Sequence, residues 1–282
     1  MFNPAAISDG ERVHILYRAV GEDNISRWGY AASSDGFTID YRSELPVFEP
    51  GEDVELERLG VEDPRMVRVG DDYYVTYVSA SVYPASHPRP AFSFGAPWKT
   101  RVCLARTRDF RSFERLGCAM PNVDDKDGVL FPEKVGGRFV LLHRIFPDIW
   151  ISFSEDLVSW TDSQVLMSVR PGMWDAGRLG AGAPPVRTEK GWLEVYHAAS
   201  EDRVYRLGAV LLDPEDPTKI IRRSDEPCFS PEEPYEVEGL VPNVVFACGM
   251  VEKDGKYIVY YGGADRVVAA AWAPVEEFLA AI

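Results

Sequence analysis

Little in this sequence is spaced for metal or redox chemistry. Its 282 residues include only four histidines and four cysteines. His14, His87, His143 and His197 lie far apart with no H-E-x-x-H arrangement, so no metal site is expected. Cys103, Cys118, Cys228 and Cys248 form no C-x-x-C pair. Their scatter argues against both a zinc site and a disulfide framework, and makes a reducing cytoplasm the simplest compartment. Basic charge is scarce too: 30 Lys and Arg against 45 Asp and Glu leave a formal net charge of -15. Phosphate backbones are bound by clustered cations, so nucleic acid is excluded as a partner and an uncharged substrate fits better. No run approaches the roughly eighteen apolar residues of a membrane span, and Met1 is followed by Phe-Asn-Pro-Ala-Ala rather than by a basic and then apolar leader. Neither a membrane partner nor standard secretion is expected. G-x-S-x-G is missing, which weakens a serine hydrolase, and no Gly-Lys-Ser/Thr loop stands before a helix to cradle a nucleotide.

What is present is apolar and β-prone. At 46% hydrophobic and 12% aromatic, the chain can fill one large core, and all-β architectures of this length fold as single units. Residues 12–19, 72–80, 138–144, 191–198 and 256–265 repeat one pattern: a charged or glycine turn, a short run rich in Val, Tyr, Phe and Leu, and a polar or small ending. Their spacing of roughly sixty residues is a blade-like period. Residues 34–37, 107–110 and 154–157 echo one another as turns, and the last two continue to Phe113 and Trp160. Only the tail, 274–282, reads as helix, with Pro274 near its first turn and Glu276 and Glu277 at the positive end of its dipole. The expectation is an all-β, five-bladed β-propeller over residues 1–282, a single domain with a short C-terminal helix. A β-sandwich is the alternative, and it would need shorter and more numerous equivalent strands. In a propeller, corresponding strand ends converge on one mouth of the channel. Here those ends are Arg18, Ser79, His143 with Arg144, His197 and Asp265, a set that reads as a site.

Three runs stand out. In Gly60-Val61-Glu62-Asp63-Pro64-Arg65, the proline disfavours helix at Asp63 and holds it extended, with its carboxylate projected into a cavity; the bland alternative is a solvated Asp-Pro turn. Residues 124–134 are dense in charge and then abruptly apolar, as a solvated turn entering a strand would be. Residues 174–185 hold more glycine than a stable strand tolerates, which implies close backbone approach or a tight bend. Trp28, Trp98, Trp150 and Trp174 suit either sugar stacking or packing between blades. His197 ends an apolar strand, where a satisfied core histidine is the ordinary reading.

Together these runs resemble glycoside hydrolase family 130, the mannoside phosphorylases and related mannosidases. The likeness spans nearly the whole chain, from Phe2-Asn3-Pro4 and Leu16-Tyr17-Arg18-Ala19, through the Glu62-Asp63-Pro64-Arg65 and Asp125 to Lys134 runs, to Tyr260-Tyr261-Gly262-Gly263-Ala264-Asp265. It implies a five-bladed propeller whose single essential carboxylate, the proton donor, falls on Asp63. Asn3, Arg18 and Asp265 would hold the mannosyl unit, and phosphate would sit among Lys126, Arg144, Arg178 and His197 with Asp127 beside them. No cofactor is implied, only inorganic phosphate as co-substrate. An inverting hydrolase needs a second carboxylate to activate water, whereas a phosphorylase uses a ready nucleophile and needs cations to hold it. One acid plus a basic cluster therefore reads as an inverting phosphorylase. It would cleave a β-linked manno-oligosaccharide or mannosyl-glucose to mannose 1-phosphate.

Two departures from the family pattern matter. Some phosphorylases carry Arg and Asn where this chain has Lys126 and Asp127, and Lys where it has Arg178. If the cluster were re-purposed, Asp127, Asp175 or Glu194 could activate water, and the enzyme would be an inverting β-mannosidase. An N-terminal extension that helps some relatives oligomerise is absent, which leaves homo-oligomerisation open, and a loop at 81–100 would wall the acceptor side. A propeller that binds glycan without chemistry is the remaining alternative. It differs in predicting that Asp63→Asn changes nothing.

Overall fold

The computed structural model describes residues 1–84, 86 and 98–280. Blade 1 contains β1 (Phe2–Ser8), β2 (Val13–Val20), β3 (Ser26–Ser33) and β4 (Tyr41–Arg42). A one-turn helix, α1 (Val54–Glu57), leads into blade 2, formed by β5 (Gly60–Val69), β6 (Asp72–Val82), β7 (Trp98–Thr107) and β8 (Glu114–Cys118). Blade 3 runs β9 (Lys126–Leu130), β10 (Phe139–Ile145), β11 (Asp148–Ser154) and β12 (Trp160–Met167). In blade 4 the innermost strand is split into β13 (Arg178–Gly180) and β14 (Val186–Thr188), both paired to β15 (Gly191–Ala199), with β16 (Tyr205–Leu212) and β17 (Ile220–Arg223) outside. After α2 (Pro234–Val237), blade 5 has three strands, β18 (Val245–Lys253), β19 (Lys256–Gly263) and β20 (Val267–Pro274), followed by α3 (Val275–Ala280). Strands within each blade are antiparallel neighbours, and a single parallel bridge, Ser26 to Gly60, joins blades 1 and 2 into one sheet.

Alternation along each strand explains why the blades stack. In β15, Trp192, Tyr196 and Ala198 pack toward blade 3 while Leu193 and Val195 pack toward blade 5, because successive side chains leave opposite faces of a sheet. Both faces are covered, so both are apolar. As a result, each of the five junctions between neighbouring blades holds a hydrophobic cluster. Blades 5 and 1 close the ring through Val251, Ile258 and Tyr260 against Val13, Ile15 and Ala31, and the Tyr260 hydroxyl donates to the Gly36 carbonyl at 2.5 Å.

All five repeated segments are strands, and each is the second strand of its blade: β2, β6, β10, β15 and β19. The echoing turns are present with their register moved by one residue in blade 1. Ser33, Thr107 and Ser154 each end a strand, and the aspartate two residues on, Asp35, Asp109 or Asp156, accepts from the amides that follow. Between them Gly36, Phe110 and Leu157 all take positive φ, so the equivalence runs from Ser33 rather than Ser34. The tail helix is present over Val275–Ala280, with Pro274 closing β20 instead of entering the helix, and the last two residues of the expected tail lie outside the described residues. The loop expected at 81–100 loses both ends to strands, since Ser81 and Val82 belong to β6 and Trp98 to Thr100 to β7; its middle lies outside the described residues.

One sequence expectation is overturned. Cys103 and Cys118, directly opposite each other on β7 and β8, form a disulfide. Fifteen residues of separation hide the pairing, and the hairpin register creates it. Cys228 and Cys248 are free.

Ring closure depends on Gly249, where an added Cβ would lie 2.3 Å from the Ala6 nitrogen. Backbone cannot yield as a flexible side chain can. Gly249→Ala is therefore expected to destabilise the fold by about 1–3 kcal/mol, lowering the thermal unfolding midpoint by several degrees; an unchanged midpoint would show that the two end blades are not held this closely.

Candidate active site

The inner strands carry the site because three of them bulge. Asn3 in β1, Asp63 in β5 and Asp127 in β9 all have left-handed backbones, with φ of 48, 46 and 53 degrees. The ladder slips at the same places. A bulge inserts an unpaired residue and re-aims its side chain, and Asn and Asp tolerate positive φ better than most residues. Asp63 is thus left-handed rather than extended. The bulge, which leaves Pro64 without a ladder bond to make, outweighs the preference that proline imposes on its neighbour.

These bulges face a cavity of about 380 Å³ at one end of the channel. Asn3, Arg18, Asp63, Lys126, Asp127, Arg144, Arg178 and Asp265 all line it, as do Glu62, Trp98, Phe146, Tyr205 and Phe246. On one side the Asn3 amide donates to Asp63 Oδ1 at 2.8 Å, and Arg18 reaches Asp63 Oδ1 at 3.3 Å and Glu62 Oε1 at 2.7 Å. Lys126 Nζ lies 3.3 Å from Glu62 Oε2. On the other side, Arg144 stands 2.8 Å from Asp127 Oδ2 and is the cross-strand partner of Lys126. Arg178 lies over the Phe146 and Tyr205 rings, at 5.6 and 5.9 Å.

Charge in this cavity is balanced by position. Burial works to raise the Asp63 carboxyl, but Arg18, Arg65 and Lys126, with the Asn3 hydrogen bond, outweigh it and hold it below the usual carboxylate range. Asp265 moves the other way, pushed up to about 6 by burial and then by the Asp63 charge. Two carboxyl groups in one cavity thus have unlike affinities for a proton. Asp127 is likewise buried yet held low, by Arg144, His197 and Arg65.

Not every expected residue reaches the cavity. His197 is fully buried behind Asp127, with Nε2 3.2 Å from Asp127 Oδ2. Burial lowers its pKa, so it is a neutral ring that orients Asp127 rather than a cation facing the cavity. Gly180 makes room for this pair, since a Cβ there would lie 2.2 Å from His197 Nε2 and 2.3 Å from Asp127 Oδ2; the glycine-rich run serves side-chain packing at this point. His143, next to Arg144 and therefore on the opposite face of β10, turns to Asp125 at 2.8 Å and Ser152 at 2.8 Å. Ser79 is buried away from the cavity. Of the four tryptophans, Trp98 lines the cavity, Trp28 is core, Trp174 stacks on Tyr196 and Trp150 is half-buried on β11 opposite His143.

The carboxylates weighed as water activators are spoken for. Asp175, outside the cavity lining, accepts from Arg170 at 2.7 Å, Arg223 at 2.5 Å and the Tyr196 hydroxyl at 3.2 Å. Glu194 is fully buried and accepts from the Gly182 amide at 2.9 Å. Among the described residues no group of three or more His, Cys, Asp or Glu could hold a metal ion, and no helix is long and apolar enough to cross a membrane. Glu62 and Arg65 were invisible as site residues in the sequence, because only the bulge at Asp63 turns consecutive residues of β5 toward the channel.

Comparison with known proteins settles the lineage. The profile of glycoside hydrolase family 130, described as beta-1,4-mannooligosaccharide phosphorylase, matches residues 1–282. The chain belongs to family 130. It is 43% identical over 280 residues to the 1,2-beta-oligomannan phosphorylase of Thermoanaerobacter sp. (strain X514), covering 96% of this chain and 88% of that one. The solved beta-1,2-mannobiose phosphorylase of Listeria innocua, in complex with beta-1,2-mannobiose, superposes with a TM-score of 0.85 at 29% identity, over 99% of this chain and 91% of that one. A second family 130 structure, from a study of members that are glycoside hydrolases targeting beta-1,2 mannosidic linkages, gives a TM-score of 0.86 at 29% identity, over 98% and 84% of the two chains. The five-bladed propeller expected from the strand repeat is the fold of the family 130 neighbours.

Glu194 makes the site's burial measurable. Its carboxyl is raised from 4.5 to about 8 by burial, so the unfolded chain ionises it long before the folded one. Its contribution to stability is complete below the unfolded value and is lost as pH rises through the folded value. Glu194→Gln is expected to leave the melting temperature unchanged near about pH 4 and raise it near about pH 8; a variant that tracks wild type across that window would contradict the assignment.

Proposed function

We propose that this family 130 chain is an inverting β-mannoside phosphorylase acting on β-1,2-linked mannosides and releasing mannose 1-phosphate. One observation carries the reading: Asp63 shares one cavity with a set of cations, Lys126 at Glu62 beside it and Arg144 and Arg178 beyond, while Asp127, the carboxylate at Arg144, is already ion-paired. Phosphate needs cations and no base. Water would need a base, and Asp127, Asp175 and Glu194 are each committed elsewhere.

In this reading Asn3, Arg18 and Asp265 hold the mannosyl unit, and Lys126, Arg144 and Arg178 hold phosphate, with Asp127 and His197 orienting Arg144. Asp63 supplies a proton, relayed through a sugar hydroxyl, to the glycosidic oxygen. Phosphate oxygen attacks C1 from the opposite face, the C1–O bond to the acceptor breaks, and the acceptor leaves carrying the proton. Asp63 must be protonated to act. An arriving phosphate offsets the cations that hold its pKa down, and substrate removes water from around it, so both favour the acid form. The β-1,2 linkage is preferred over the β-1,4 of the family description because the relatives at 43%, 38% and 36% identity are named for β-1,2-mannosides, and the β-1,4-mannooligosaccharide phosphorylase follows at 33%.

Residues 1–282 would act as one catalytic unit with no cofactor beyond the co-substrate phosphate. The cytoplasm is the proposed compartment, since phosphorolysis stores the glycosidic bond energy in a sugar phosphate that is useful only where it is retained. β-1,2-Mannobiose incubated with enzyme is expected to turn over only when phosphate is present, and Asp63→Asn is expected to lose about a thousandfold in kcat. Equal turnover without phosphate would favour the mannosidase, and no turnover in the wild type, with glycan binding unaffected by Asp63→Asn, the binding protein.

A further inference from the structure

Arg65 is a fully buried cation with four acceptors, and it does not line the cavity. It is 1% exposed. One guanidinium nitrogen donates to the Asp63 carbonyl at 2.9 Å, the other to Asp127 Oδ1 at 3.3 Å and the Ala181 carbonyl at 3.2 Å, and Nε donates to the Gly182 carbonyl at 3.3 Å. Its ring partner is Phe246, 5.7 Å away. These contacts belong to blades 2, 3, 4 and 5 in turn. The carbonyls of Ala181 and Gly182 turn inward where the inner strand of blade 4 is broken between β13 and β14, ahead of Pro184-Pro185, which could not continue a ladder.

We infer that Arg65 is a positioning residue for the reaction: its planar fork fixes the left-handed bulge that aims the Asp63 carboxyl and, through Asp127, the placement of Arg144. The inference rests on the phosphorylase reading. Only arginine suits the place, because its donors diverge in one plane toward four acceptors, whereas a lysine ammonium is a point charge with three donors on a flexible stem. An aspartate left at positive φ without this hold is free to relax, and a misplacement near one ångström is enough to cost about a hundredfold in rate.

Arg65→Lys separates aim from charge. It keeps the cation and is expected to lower kcat about thirty- to a hundredfold while the KM for mannobiose changes less than about threefold. Arg65→Gln removes the charge as well. Asp63 is faced by Arg18 from β2, Lys126 and Asp127 from β9, Cys248 from β18, Asp265 from the β19–β20 turn, and Glu62 and Arg65 from its own strand. Removing one cation from that set raises the Asp63 pKa, so the basic limb of the kcat–pH profile should move to higher pH although the enzyme is slower. That shift follows from the Arg65 charge alone, so the split between kcat and KM in Arg65→Lys, which keeps the charge, is the readout that a purely structural arginine would not move. Phe246→Leu loosens the guanidinium's seat without orphaning a carbonyl, and answers the question if the Arg65 variants do not fold: a fall in kcat at unchanged KM supports the inference, and a rise in KM at unchanged kcat overturns it. Wild-type kcat in Arg65→Lys also overturns it. Wild-type turnover without phosphate would instead refute the phosphorylase reading and leave the kcat–KM split in Arg65→Lys as the test of Arg65.

Discussion

Bringing five inner strands to one axis forces charged side chains together in a place with little water, and the site exists because each of those charges has a partner. Asp127 is met by Arg65, Arg144 and His197, and Glu62 by Arg18 and Lys126. An unpaired buried charge costs several kcal/mol, and breaking one member of such a network leaves the others exposed to that cost. The pairing is also why the carboxyl groups differ: Asp63 sits among cations and is held low, while Asp265, beside Asp63, is pushed up.

The same constraint separates the two sides of the cavity. Asn3, Arg18 and Asp265 gather around Asp63, where a neutral sugar can offer hydroxyl groups to both donors and acceptors. Arg144 and Arg178 lie across from it, with Lys126 between them at Glu62, where an anion would be held. Asp127 lies at the join, and its pairing with Arg144 tempers the positive field on the anion's side. The buried Arg65 connects the halves beneath the cavity floor, so that the backbone of the acid and the side chain of the anion's side rest on one guanidinium.

Much of the fold is legible in the sequence because a propeller repeats its demand. Each blade needs a second strand covered on both faces, and that demand leaves the same apolar run five times, with three of the blades also carrying a turn marked by Ser or Thr and an Asp two residues later. The site is less legible. Asp63 stands out through its proline, yet the proline suggests an extended backbone where a bulge makes it left-handed. His197 and Arg144 both end repeated strands, but only register decides that one faces the cavity and the other lies behind Asp127. Arg65 acts across blades, on a partner 117 residues away, while Glu194 meets the Gly182 amide within blade 4 and Cys103 finds Cys118 through the β7–β8 hairpin. The first contact is a property of the closed ring, and the other two follow from strand register rather than from any local run.

The central claim is that phosphate attacks C1 on the face opposite the proton that Asp63 supplies. The stereochemistry of the first-formed product tests it most directly, followed by proton and phosphorus NMR as β-1,2-mannobiose is consumed in phosphate buffer. The account predicts α-mannose 1-phosphate as the initial product, from inversion at a β-linkage. Initial appearance of the β-anomer, or of free mannose from the non-reducing end with no phosphate ester, would contradict it.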